Sequence, residues 1–573
     1  MFRTGSVSVR GRLILVLLAL AIIPYFVGLG ASSIWDANEA FYVETPREMI
    51  ERGDYISPTF NYEPRLNKPV LSYWIVAGFY HVFGASVAVQ RLPIALGALI
   101  MILTAFVLAR AADDSPGGAP RLLGIPAAAW WAALGLAIAP RLLMFSRRIF
   151  IDIYISMFMG LTLLLFALSE RYPERRRMFL SLMYVAVGLG LLTKGPIAAL
   201  LPGLVFGLYL LLHGELKRIR EMMIPLGLVI VLLLVVPYYA ALYQRHGWSP
   251  ITSFVMGENF ARYTEGVGVD RTRGVGYYLP VVLTDSFPWS LLIVGAAALW
   301  FADRRRLRAA ATAAAAAAFR IRSLLWLWIV GIVGFFTLSE AKQDLYIFPI
   351  VPAVAALGGL FVSRALAEGG RPWSWLRGTT AAIGLLVLIA GAGTLYIFQT
   401  AGNIYALDGA ALVGTVGAIG GLVTVALSAM GRVHGALLAV AISAITLNWT
   451  FVTTVLPSFE RYKPVPALSA VIEERAGPED AIVHYNIALP SMVYYLRRHI
   501  DVLFAVEPLL DHLRGPQTIY AVLSDEDYER LEPHIGVPTC IIARSPTVNV
   551  KLRAVLAREP LPEVLLISNR CEG

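Results

Sequence analysis

Long apolar runs separated by short polar breaks fill the chain up to residue 455. A helix needs about 20 predominantly apolar residues to cross a bilayer, and about thirteen segments have that character. They are 11–31, 92–109, 122–139, 149–168, 178–192, 196–212, 223–243, 279–300, 323–338, 345–362, 379–398, 410–430 and 436–455. The run 70–83 is too short to cross; with Tyr73, Trp74 and Tyr80 at headgroup level it reads as an interfacial or re-entrant helix. The first run has a basic start and is followed by Ala31-Ser32-Ser33, as a cleaved signal peptide would be. Its length and the many runs after it favour a retained anchor. The alanine run 313–318 predicts helix by propensity alone.

After residue 455 the pattern changes. Pro457, Pro464 and Pro466 punctuate a linker, and short helix-like and strand-like stretches then alternate. We expect helices over 467–475, 491–498 and 525–531, and strands over 481–485, 502–505, 518–523 and 539–543. The fold class expected is therefore a polytopic α-helical membrane protein with a C-terminal extracytoplasmic α/β domain, divided into 1–456 and 457–573. The only two cysteines, Cys540 and Cys571, both lie in the second part. Export would allow a disulfide between them; otherwise they are two thiols.

Lys and Arg sort the polar breaks into two faces, because cytoplasmic loops are enriched in both. With Arg3, Arg10 and Arg12 in the cytoplasm, the same face receives Arg171, Arg175 to Arg177, Lys217, Arg218, Arg220, Arg304 to Arg306 and Arg308. Arg320, Arg322, Arg364, Arg371, Arg377 and Arg432 follow on that face. The opposite face receives the Lys- and Arg-free loop 403–408, the long insertions 32–86 and 244–278, and the C-terminal domain. One loop departs: Arg141, Arg147 and Arg148 fall outside, so either a span is miscounted or they bind something anionic there, and the agreement of the other loops favours the second.

Composition agrees with this picture. The chain is 57% hydrophobic and 15% charged, against about 25% charged in soluble domains. Its net charge of +9 belongs to cytoplasmic loops and anionic headgroups. No zinc-finger or P-loop pattern is present, and no nucleic-acid partner is expected.

Catalytic cavities open where loops are elaborated, which here is the outer face. Asp36 and Glu39 begin the first insertion, where acids also suit a helix start. Asp152 sits inside the outer end of a span, and an intramembrane carboxylate points to function unless it merely pairs with Arg147 or Arg148. Lys68, Lys194, Arg262 (with Glu258 one turn earlier) and Lys342 (with Tyr346 following) stand at outer tips. Any one of them could simply snorkel; four against the positive-inside trend indicate an anionic substrate. Acids can deprotonate or orient a hydroxyl, and cations can stabilise charge developing on a leaving phosphate. Together they suit sugar transfer from a lipid-linked phosphate donor.

At these residues the chain resembles the GT-C membrane glycosyltransferases related to protein O-mannosyltransferases, most of all the bacterial lipid A 4-amino-4-deoxy-L-arabinose transferase group. The resemblance covers nearly the whole chain. It implies that Asp36, in Asp36-Ala37-Asn38-Glu39-Ala40-Phe41-Tyr42, is the key acid and Asp152 the second. It implies phosphate contacts for Lys68, in Lys68-Pro69-Val70-Leu71-Ser72-Tyr73-Trp74, for Arg262, and for Tyr346 within the pattern Ser339, Lys342, Tyr346, Pro349. Thr193-Lys194-Gly195 matches a further motif. Glu39, Tyr42, Arg65, Asn67, Arg148, Lys194, Glu258 and Lys342 are the remaining cavity candidates.

Two positions depart from the group. Asn67 stands where those enzymes carry a Glu implicated in metal binding, and Arg65 stands where they carry a Tyr. A divalent metal is left open, with His246 and His81 as outer-face candidates. The function expected is inverting transfer of a sugar from a polyprenyl-phosphate donor to lipid A, or to another envelope glycan or protein, with membrane lipids as surroundings. The enzyme would sit in the bacterial inner membrane, its N-terminus cytoplasmic and its C-terminal domain periplasmic. A flippase of lipid-linked sugars, a protein O-mannosyltransferase-like enzyme and an envelope scaffold are the rival readings.

Overall fold

The structure is a computed structural model that describes residues 9–114, 121–148, 151–265, 273–306, 312–400, 406–547 and 559–571. Arg3, Arg308 and positions 403–405 of the expected outer loop lie outside the described residues. Among the described residues nine helices are long and apolar enough to cross a membrane, each overlapping one of the runs expected from the sequence. Two more expected spans are bent pairs: Ala127–Ala137 with Pro140–Ser146 at 59°, and Val275–Asp285 with Trp289–Asp303 at 110°. The sharper bend corrects the straight span expected over 279–300. Both breaks fall at prolines, Pro140 and Pro288, which lack the N–H that would continue the helical ladder. The remaining two expected spans are shorter apolar helices, Gly11–Tyr25 and Ile197–Leu212, as is the interfacial candidate Leu71–Phe83.

The helices pack around one extended apolar core running from Leu17 to Val452. Close approach depends on small residues. A Cβ on Gly359 would lie 2.5 Å from the Ala128 carbonyl oxygen, so Val351–Glu368 meets Ala127–Ala137 nearly backbone to backbone. On the basic face Arg218, Arg320 and Arg176 converge on buried Glu170 at 2.6, 3.1 and 3.4 Å.

The expected anion-binding role of Arg141, Arg147 and Arg148 is corrected for the first two. Arg147 is buried and donates to the carbonyls of Pro24, Val27 and Gly28. It thereby satisfies acceptors left open where the first helix ends. Arg141 is neutralised by Asp285 at 2.9 Å and Asp344 at 2.5 Å.

Glu39 is likewise a structural residue, not part of a cavity. It begins the helix Asn38–Arg52 and is buried against Arg91 of Val87–Ala112. Arg91 Nε and Nη2 donate to its two carboxylate oxygens at 2.7 and 2.9 Å. The remaining donors reach the carbonyls of Leu29, Ser32 and Ser33. One guanidinium thus ties the end of the first helix, the first outer loop and the next span together. Removing one partner of a buried pair leaves an uncompensated charge, at a cost of about 3–5 kcal/mol. Arg91→Met is therefore expected to lower the melting temperature of the detergent-solubilised protein sharply. Adding Glu39→Gln should recover part of the loss.

The C-terminal region forms a five-stranded sheet in the order 501–503, 481–485, 519–524, 563–568, 540–546. The first three strands are parallel, and 563–568 is antiparallel to both neighbours. The strand Glu563–Ser568 and the helix Val506–Arg514 were not expected from the sequence. The proline-marked linker is also corrected. It is helical turns from Leu456 to Tyr462, then a helix Pro464–Arg475 with Pro464 and Pro466 in its first turn, where a missing N–H costs nothing. Cys540 and Cys571 are disulfide-bonded.

The sheet region docks on the first long insertion, 32–86. Asn61 exchanges hydrogen bonds with the backbone of Ile500, Tyr62 Oη donates to the Arg497 carbonyl, and Lys463 Nζ donates to the Ser33 carbonyl. Phe60 packs into one face of the C-terminal core.

Candidate active site

The first insertion carries a helix, Asn38–Arg52, then the short antiparallel pair Thr59–Phe60 and Glu63–Pro64, then Leu71–Phe83. Lys68 lies just before this last helix. Its Nζ donates to Glu258 at 2.5 Å, and Arg262 reaches the same carboxylate oxygen at 3.3 Å. Glu258 belongs to a π-helical segment, Ser253–Ala261, that leads into Arg262. The wide turn of a π-helix is a common way to present side chains at functional sites. Burial pushes the Glu258 carboxyl up, but Lys68, Arg262 and Arg65 outweigh it and hold the group below the usual carboxylate range.

The second half of the cluster comes from spans. Asp152 opens Ile151–Arg171 and is paired with Lys194 at the end of Arg176–Lys194. Its partner is thus Lys194, not Arg147 or Arg148. The Lys194 ammonium also lies 5.3 Å from the centre of the Tyr346 ring. Gly195, at φ +89°, turns the chain after Lys194, and a Cβ there would lie 2.5 Å from Phe254. The turn can therefore press against the π-helical segment only because residue 195 is glycine.

Long-range fields join the two halves. Lys68 senses Lys194 and Arg262, and Tyr346 senses Lys194, Arg262, Asp152 and Glu258. Tyr42 senses Arg65, Asp152 and Glu258, and its ring stacks on buried Tyr73 at 5.5 Å. Direct contacts thus group Lys68 with Glu258 and Arg262, and Asp152 with Lys194 and Tyr346, while electrostatic coupling relates the two groups to each other and to Tyr42 and Arg65. Asn67 is exposed next to Lys68.

Four sequence candidates fall elsewhere. Lys342 is buried and donates to the Ser339 carbonyl at 2.6 Å, holding its own loop instead of facing a cavity. Glu39 is held by Arg91. Arg148 stacks on the Trp35 ring at 4.0 Å, with Lys463 on the same ring at 3.8 Å. Asp36 is gripped by the C-terminal region: Ser491 donates its backbone N–H to Oδ1 and its hydroxyl to Oδ2, both at 2.7 Å. Its strongest charged neighbours are Lys463 and Glu39, not the Lys68–Asp152 cluster. Arg91, Ser491 and Lys463 were missed in the sequence. Only Arg91 carried a signal, as a cation near the start of an apolar span.

Asp36 is exposed to solvent as a residue, yet its two carboxylate oxygens are held by Ser491. Burial pushes its carboxyl from the ordinary 3.8 up to about 6, against the downward pull of Ser491 and Lys463. An acid whose pKa is raised by folding stabilises the folded state below its unfolded value, and that contribution is lost as pH rises through the folded value. Asp36 is therefore expected to favour docking less as pH climbs from 3.8 to about 6. Melting of intact wild type and Asp36→Asn across this range checks it: the difference between them should change with pH, and a constant difference contradicts the assignment.

Among the described residues no group of three His, Cys, Asp or Glu could hold a metal ion. His246 Nε2 is hydrogen-bonded to Ser57 at 2.8 Å and His81 Nε2 to Tyr55 at 2.6 Å.

Two kinds of similarity bear on this geometry. A profile of the dolichyl-phosphate-mannose-protein mannosyltransferase family matches residues 67–240. ArnT from Cupriavidus metallidurans in the apo state superposes with a TM-score of 0.74 over 98% of this chain and 99% of that one, at 22% identity. The same protein bound to undecaprenyl phosphate gives a TM-score of 0.74 over 99% of each chain, at 23% identity. The chain has the ArnT fold. Sequence relatives agree with that assignment. Undecaprenyl phosphate-alpha-4-amino-4-deoxy-L-arabinose arabinosyl transferase 2 of Pseudomonas fluorescens is 25% identical over 527 residues, 90% of this chain and 80% of the relative. The corresponding Pseudomonas aeruginosa transferase is 28% identical over 347 residues, 59% of this chain and 58% of the relative. The second match spans less than two thirds of that relative. The resemblance read from the motifs thus holds in both sequence and fold: the chain is a multi-pass, ArnT-like membrane protein.

Proposed function

We propose that the chain is an integral-membrane glycosyltransferase. It moves a sugar from a polyprenyl-phosphate donor to lipid A or another envelope acceptor, on the periplasmic face of the inner membrane. The observation that carries this reading is the sharing of one carboxylate, Glu258, between Lys68 and Arg262 at 2.5 and 3.3 Å. The trio keeps one positive charge to set against a donor phosphodiester, which carries one negative charge. Relatives named for arabinosyl transfer from undecaprenyl phosphate support it, as does undecaprenyl phosphate bound to a protein of this fold. The short, basic loops on the opposite side of the membrane support the orientation.

In the reaction, an acceptor oxygen attacks the anomeric carbon and the bond from that carbon to the phosphate oxygen breaks. The electron pair leaves with the phosphate, whose charge grows from one to two. Lys68 and Arg262 bind that growing charge more strongly than the ground-state diester, which is what accelerates the step. Attack from the face opposite the phosphate inverts the sugar. When the acceptor is a hydroxyl its proton passes to Asp152, and Lys194 holds that carboxylate in place. When the acceptor is a lipid A phosphate no base is needed, and Asp152 faces the positive charge developing on the sugar ring. Asp36 acts outside the chemistry, anchoring the C-terminal domain through Ser491.

Lipid A from a deletion strain and its complemented parent, compared by mass spectrometry, tests the acceptor. A sugar-sized mass increment present only with the gene is expected; identical lipid A profiles would remove lipid A from the reading.

A further inference from the structure

Arg65 is the one member of the cluster whose charge the reaction above leaves unused. Lys68 and Arg262 share Glu258, and Lys194 is balanced by Asp152. Arg65 has no carboxylate within ion-pair distance among the described residues, and its Nε is buried without a hydrogen-bond partner. Its guanidinium carbon lies over the Phe41 ring, 3.8 Å from the centroid. Its field reaches Tyr42, Tyr73 and Glu258. It therefore stands against an aromatic ring of the first insertion, three residues before Lys68 of the phosphate trio. A half-buried cation with an unpartnered Nε is completed most readily by something anionic, and a planar guanidinium matches a carboxylate through two parallel hydrogen bonds.

Charge counting sharpens this. The trio's single excess charge already matches the donor phosphodiester. Arg65 adds a second positive charge on the side where aromatic rings can line a sugar, as they line most small-ligand pockets. An ammonium-bearing sugar would be repelled there, and repulsion is as effective a source of specificity as attraction. Resting on the glycosyltransferase reading above, we propose that the donor sugar carries a carboxylate, a uronic acid, and that Arg65 selects it over neutral and amino sugars.

The test is donor binding to the full-length protein in nanodiscs, read as displacement of a labelled polyprenyl phosphate. Three synthetic polyprenyl-phosphate sugars compete: a uronic acid, the matching neutral hexose and an amino sugar. The uronate is expected to bind about tenfold tighter than the neutral sugar, with the amino sugar weakest. Arg65→Gln should shrink the uronate-to-neutral ratio about tenfold. Arg65→Lys, which keeps the charge, should retain the order and guards against a folding defect. Equal binding of uronate and amino sugar, or an unchanged ratio in Arg65→Gln, overturns the proposal while leaving the glycosyltransferase reading intact. Failure of polyprenyl phosphate itself to bind wild type overturns both.

Discussion

Lys68→Met is expected to slow sugar transfer about 10²–10³-fold, the usual effect of deleting one positioned donor from a site that stabilises developing negative charge. The reasoning is differential. Lys68 already has a ground-state partner in Glu258 at 2.5 Å, so its attraction to a diester is modest. When the phosphate gains its second charge the balance moves toward the substrate. The loss should therefore appear mainly in kcat, with a smaller change in donor affinity. Arg262→Met is expected to act in the same direction. Because both cations share one carboxylate oxygen, the double variant should lose less than the product of the two single losses. Initial rates of polyprenyl phosphate release measure all three. Full additivity would mean that the two cations do not serve one phosphate.

Asp152→Asn is expected to reduce transfer to a hydroxyl acceptor by about 10²–10⁴-fold, the range of general acid–base catalysis. The variant also leaves the Lys194 ammonium without its carboxylate at adjoining ends of two spans, so stability falls too. The two effects can be separated. Asp152→Asn combined with Lys194→Met removes both charges and should regain much of the lost stability, but none of the lost activity. Melting temperature and kcat, measured on the same preparations, check this. Recovery of activity along with stability would make Asp152 a structural partner of Lys194 and nothing more.

How far the molecule could be read from its sequence depended on the range of the interaction. Apolar length located the nine long spans among the described residues because bilayer thickness sets it locally. It could not show that the second-insertion span turns by 110°, since that angle comes from packing around Pro288 and buried Trp289. In the C-terminal domain the apolar run 563–568 was visible but unassigned. It became a central strand only through pairing with 519–524 and 540–546. Motifs identified Lys68, Arg262, Asp152, Lys194 and Tyr346 as candidates, whereas their pairings were hidden. Asp152 meets Lys194 across 42 positions and Lys68 meets Glu258 across 190.

Asp36 shows the limit best. Its local pattern marks it as an acid at the mouth of a site. Its partner, Ser491, lies 455 residues away in another domain, and nothing near either residue announces the contact. The same holds for Glu39, whose carboxylate is spent on Arg91 across 52 positions.

The most direct measurement uses purified full-length protein in vesicles that contain a synthetic polyprenyl-phosphate sugar and lipid A. Mass spectrometry follows the sugar increment on lipid A and the free polyprenyl phosphate together. Both products should accumulate in equal amounts with wild type, and at least about a hundredfold more slowly with Lys68→Met. Donor that is bound or carried across the bilayer intact, with no polyprenyl phosphate released, would contradict the account.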